Sequence, residues 1–129
     1  MNEGFIAFES VIFNDNDRVF TILNGTKGTY SYTEIKKCSV LNEDSKFYGK
    51  TEPFLHQVLG GTTFVTMLGE PTVYVGLKLT MSDERSLAIY VSKVKTVTNS
   101  DKYMEDHKAA EEIKSLIDKI IKKYQDKKI

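Results

Sequence analysis

The chain has 129 residues, is 40% hydrophobic and 28% charged, and carries 18 Lys and Arg against 18 Asp and Glu. Such a length and composition suit one folded domain, residues 1–129, and exclude a disordered chain. The zero net charge removes any long-range pull toward nucleic acid or anionic membrane, and the single cysteine, Cys38, excludes an internal disulfide.

Residues 5–13 (FIAFESVIF) are aromatic and β-branched and predict a first strand. Asn14, Asp15, Asn16 and Asp17 come next, residues that favour turns through side-chain to backbone hydrogen bonds. Residues 18–23 predict a second strand, Asn24-Gly25 a tight turn and residues 28–32 a third strand. A corner at Thr33-Glu34-Ile35 leads to a fourth strand over 36–42, with Cys38, Val40 and Ile35 on one face and Lys37, Ser39 and Leu41 on the other. Glu43 to Lys46 reads as a turn. Gly49, Pro53, Gly60, Gly61, Gly69 and Pro71 interrupt the stretch up to residue 71, leaving a strand over 62–68 between glycines. Residues 72–81 and 86–93 predict a hairpin turning at 82–85.

Residues 100–127 predict one long C-terminal helix, with the strands confined to 4–99. Ala109, Ala110, Ile113, Leu116, Ile117, Ile120, Ile121 and Tyr124 recur at helical spacing, and the opposite face is charged. Ser100 or Asp101 suits the N-cap, and lysines crowd the last turns. Burying that stripe is worth on the order of 10–15 kcal/mol gross, whereas an isolated helix of this length is marginal in water. The helix is therefore expected to cover the sheet. The fold class expected is α+β, mainly β, with about seven antiparallel strands in a barrel or sandwich capped by the helix.

Tyr32, Glu34, Ile35 and Val40 lie in a corner phrase, YSYTEIKKCSV over 30–40, that resembles bacterial pleckstrin-homology-like domains. There a strand ends in an aromatic residue, turns through an acidic-Ile pair and enters the next strand. The resemblance implies two orthogonal antiparallel sheets and a C-terminal helix plugging an open end. Three departures accompany it. Lipid-binding members hold inositol phosphates with basic residues around the first hairpin loop, but the matching loop here is Asn14 to Asp17 with only Arg18 beside it. Phosphoinositide binding therefore does not carry over. The helix has no tryptophan, and residues 46–71 form a long insertion.

Few side chains suggest chemistry. His56, His107 and Cys38 do not make a zinc cluster, Cys38 reads as a small buried hydrophobe, and 14–17 lacks the glycine and distal glutamate of a calcium loop. No catalytic, metal or cofactor residue is expected, and the protein is read as non-enzymatic. The uncharged run 54–69 combines apolar bulk with glycines and reads either as a buried strand with a tight turn or as an interaction surface, an exposed apolar loop or edge strand that docks a partner. Its candidate residues are Phe54, Leu55, His56, Val58, Leu59, Phe64, Val65 and Met67. A loop dipping into a membrane surface is a weaker reading, because the flanking cations are only Lys46 and Lys50. The run is shorter than the roughly 20 apolar residues that span a bilayer, and no basic-then-apolar leader opens the chain. The expectation is a cytoplasmic binding or scaffold module acting through a protein partner or self-association, without nucleic acid. The rival is a small-molecule-binding or enzymatic β-barrel whose pocket His56, Tyr74 and Tyr90 would line.

Overall fold

The computed structural model describes residues 4–45, 48, 50, 54–55, 72–97 and 100–125. In chain order these form β1 (Phe5–Ala7), β2 (Val11–Asn14), β3 (Val19–Ile22), β4 (Gly28–Ser31), a 3-10 turn (Tyr32–Glu34), β5 (Ile35–Asp44), β6 (Thr72–Met81), β7 (Ser86–Tyr90), β8 (Thr96–Val97) and α1 (Asp101–Gln125). Strands β1 to β4 make an antiparallel meander, sheet A. Sheet B runs β5-β6-β7, and β8 also pairs with β6. The fold is thus mainly β with one C-terminal helix. Among the described residues there are eight strands, against about seven expected, and the two sheets do not close into a barrel.

The additional strands have local causes. In the run 5–13, the Phe8 N–H donates to the Val11 carbonyl at 2.8 Å, so the run folds back into a hairpin with Ile6 opposite Phe13. Beyond Tyr90, the Val91 and Ser92 amides both reach the Val75 carbonyl, at 2.9 and 3.1 Å. That bulge ends β7, and pairing resumes at Thr96 opposite Val73. The loop at 14–17 is a plain turn. Asn14 Oδ1 accepts from the Asp17 N–H at 3.1 Å, and Asp15 Oδ1 accepts from the Tyr32 hydroxyl at 2.7 Å. The strand expected over 62–68 lies outside the described residues.

The main core fills the space between sheet A, sheet B and the helix. Val11, Phe13, Phe20 and Ile22 come from sheet A, and Val73, Val75, Leu77, Leu79 and Met81 alternate along β6. Cys38 and Val40 face this core, and so does Ile35, because a register shift between Ile35 and Lys37 moves it onto their side. Helix α1 lies over β5, β6, β8 and the 3-10 turn. Its seam reads Tyr103, Asp106, Ala110, Ile113, Ile117 and Ile120, all buried, with Leu116, Ile121 and Tyr124 partly buried beside them. Ser100 is the N-cap, accepting from the Tyr103 N–H at 3.2 Å.

Asp106 is the one acid in that seam. Its Oδ2 accepts from the Ser92 hydroxyl at 2.8 Å, and its Oδ1 meets Lys102 at 3.2 Å. Ser92 Oγ in turn accepts from the Val75 N–H at 2.9 Å, so one hydroxyl fills the gap the bulge leaves in the ladder and ties the sheet to the helix.

The two sheets are hooked together at the β3–β4 turn. Gly25 bridges Ile89, the Thr26 N–H donates to the Ala88 carbonyl at 2.9 Å, and the Tyr90 N–H donates to the Asn24 carbonyl at 2.9 Å. Gly25 has φ +127, and a Cβ there would sit 2.1 Å from the Ala88 oxygen. Both backbone conformation and space exclude a side chain. Gly25→Ala is expected to lower unfolding stability by about 2 kcal/mol or more, read from the urea midpoint.

Candidate functional site

The face of sheet B turned away from the helix carries a second apolar cluster. Alternation along β5, β6 and β7 places Leu41, Glu43, Tyr74, Gly76, Ala88 and Tyr90 on this side. Two residues from between β5 and β6 lie on it. The Tyr48 ring stacks on Tyr74 with centroids 3.7 Å apart and meets Tyr90 edge-on at 4.7 Å. Phe54 is 1% exposed, and its ring lies 5.1 Å from that of Tyr90. A Cβ on Gly76 would come within 2.8 Å of the Phe54 ring, so the missing side chain is what makes room for it.

Glu43 organises this cluster from beneath and is 0% exposed. One carboxylate oxygen accepts from the Phe54 N–H and the other from the Tyr90 hydroxyl, both at 2.6 Å. Phe54 is held at φ +62, a left-handed conformation rare for a bulky side chain. The strain is of order 1–3 kcal/mol. The hydrogen bond from its N–H to Glu43 and the burial of a phenyl ring offset it. Burial first, and the Glu43 hydrogen bond and charge next, push the Tyr90 phenol well above its ordinary range. Burial likewise raises Tyr48.

Beside this cluster a cleft of about 300 Å³ opens where the two sheets meet. Glu9 and Ser10 reach it from the β1–β2 turn and Asn24 from the β3–β4 turn, while Val91 and Lys93 come from just after β7. The Tyr48 and Tyr90 side chains form its wall. Lys93 Nζ and Glu9 Oε2 pair across it at 3.0 Å. Both side chains are largely exposed, and such a pair contributes at most about 1 kcal/mol. Asn24 Nδ2 donates to the Tyr90 carbonyl at 3.0 Å. Ser10 is 5% exposed. Its carbonyl accepts from the Leu23 and Asn24 amides at 2.8 and 3.2 Å.

Of the residues the sequence singles out for interaction, Phe54 is buried inside the chain's own second core, and Leu55 directly after it is 61% exposed. His56, Val58, Leu59, Phe64, Val65 and Met67 lie outside the described residues, as does any pocket near His56. Tyr90 lines the cleft, and Tyr74 lies under Tyr48. Sequence reasoning puts Glu43 in a turn, whereas extending the alternation of Ser39 and Leu41 by one step places it on the sheet. Among the described residues no three of His, Cys, Asp and Glu group as a metal ion requires, and no helix is long and apolar enough to cross a membrane. No protein-family model matches the chain, and no curated protein or solved structure matches it either.

Two measurements check this cluster. Phe54→Ala is expected to cost about 3 kcal/mol and Glu43→Ala a similar amount, the latter by leaving the Tyr90 hydroxyl and Phe54 N–H without an acceptor. The second concerns alkaline pH. Because folding favours the neutral phenol of Tyr90, the unfolded chain loses that proton first, near the ordinary value of about 10. The stabilisation is therefore complete below about pH 10 and is lost as pH rises beyond it. Urea midpoints measured from about pH 8 to about pH 11 should fall, and less steeply in Tyr90→Phe.

Proposed function

We propose that the chain is a non-enzymatic binding or scaffold module of the pleckstrin-homology-like kind, cytoplasmic, which acts through protein contacts and self-associates. An antiparallel meander, a second antiparallel sheet and a C-terminal helix packed on that sheet succeed one another in the order such domains use. Cys38 supports a binding rather than a nucleophilic role. Burial, with Asp118 nearby, pushes its thiol up to about 12, so little thiolate forms near neutral pH. One buried, reduced cysteine also suits a cytoplasmic setting.

The observation that carries self-association is β1. It is the outermost strand of sheet A, and among the described residues no strand pairs with its outer rim. Phe5 is 44% and Ile6 38% exposed, and β1 itself bears no charge. Open apolar edges of this type take up a further strand, because unpaired N–H and C=O groups supply affinity and neighbouring side chains supply burial. A second copy presenting the same edge antiparallel would make an isologous contact and run sheet A through both molecules.

Light scattering across a concentration series should show wild-type protein moving from monomer toward dimer. The double variant Phe5→Lys, Ile6→Lys should remain monomeric with an unchanged melting temperature, since both side chains are exposed. Loss of the dimer in Phe64→Asp alone would transfer the contact to the 54–69 run. Wild-type protein that stays monomeric at the highest concentration reached would overturn the reading.

A further inference from the structure

The cleft between the sheets has a chemistry the β1 edge does not use. It carries one acid and one base, Glu9 and Lys93, which hold each other across the opening. Ser10 and Asn24 line it as well, and the Asn24 amide nitrogen is fixed on the Tyr90 carbonyl. That fixed nitrogen orients the amide and leaves its Oδ1 as an acceptor. The Tyr48 and Tyr90 side chains supply an aromatic wall. Tyr48 is itself braced by its stack on Tyr74, and Tyr90 by its bond to buried Glu43. The wall is therefore held by contacts on its far side, whereas the ion pair at the opening is largely exposed.

We propose that this cleft is a small-molecule site for a zwitterion of the α-amino acid class, with an apolar or aromatic side chain. Charge balance selects that class. A ligand with a single charge displaces one member of the Glu9–Lys93 pair and leaves the other unpaired, so it exchanges one ion pair for another. A ligand with an ammonium and a carboxylate on one carbon gives Glu9 and Lys93 a partner each, turning one ion pair into two. Its side chain then lies against the tyrosine wall, with Ser10 and Asn24 able to hydrogen-bond the polar end. A volume of about 300 Å³ is at the small end of ligand pockets, which favours a single amino acid over a peptide or nucleotide.

The test uses the full chain and ligand-observed NMR with the common L-α-amino acids at millimolar concentration. At least one with an apolar or aromatic side chain should bind saturably. Its amine lacking the carboxylate and its acid lacking the ammonium should each bind about tenfold or more weakly, a difference of about 1.4 kcal/mol. Glu9→Gln and Lys93→Gln should each weaken binding by a similar factor while leaving the melting temperature unchanged. Ser10→Ala should weaken it as well. The proposal is overturned if no amino acid binds, if the amine or the acid binds as well as the zwitterion, or if the Glu9 and Lys93 variants bind like wild type. None of these outcomes depends on whether the protein dimerises, so this site and the β1 edge stand or fall separately.

Discussion

Sheet B has two apolar faces, and the fold results from the need to cover both. Along β6, Val73, Val75, Leu77, Leu79 and Met81 point one way, while Tyr74 and Gly76 point the other. A strand with this pattern cannot leave either side in water without forfeiting roughly 25 cal/mol for each Å² of apolar surface. The helix and sheet A close the first face. On the second lie the rings of Tyr48 and Phe54, from the connection between β5 and β6. The attachment of Phe54 is polar as well as apolar, because Glu43 holds its amide.

Much of this architecture is legible in the residues, and the limits have physical causes. The long alternating run of β6 and the helical stripe declare themselves, because each repeats its period over many residues. The stripe predicted from spacing is nearly two turns short. Tyr103 and Asp106 continue the same spacing toward the N-terminus, but an acid and a tyrosine in a charged first turn look like solvent-facing residues. The hairpin hidden in 5–13 gives no local signal, because it turns through Glu9 and Ser10 with no glycine, proline or asparagine at the bend.

The candidate site is less legible, since it is made by convergence. Glu9, Asn24 and Lys93 are surface residues at three separate turns, and nothing local marks them as neighbours. Their meeting depends on Gly25, which brings the β3–β4 turn against β7. Phe54 poses the opposite difficulty. Its apolar neighbours suggest a surface waiting for a partner, yet its ring has already found one in the space over Gly76. A long uncharged run reports that burial is needed without saying where it occurs.

The acid in the helix seam has a further consequence. Apolar stripes are forgiving: sliding α1 along its groove by one turn would still set isoleucine where isoleucine lay at Ile113 and Ile117. Asp106 removes that freedom. At its present position the carboxylate meets the Ser92 hydroxyl, which the bulge after β7 supplies at one place only. Displaced by a turn, it would lie among aliphatic side chains with no donor, at a cost of several kcal/mol. Asp106 works as an index mark, fixing where along the sheet the helix stops as well as which side it presents.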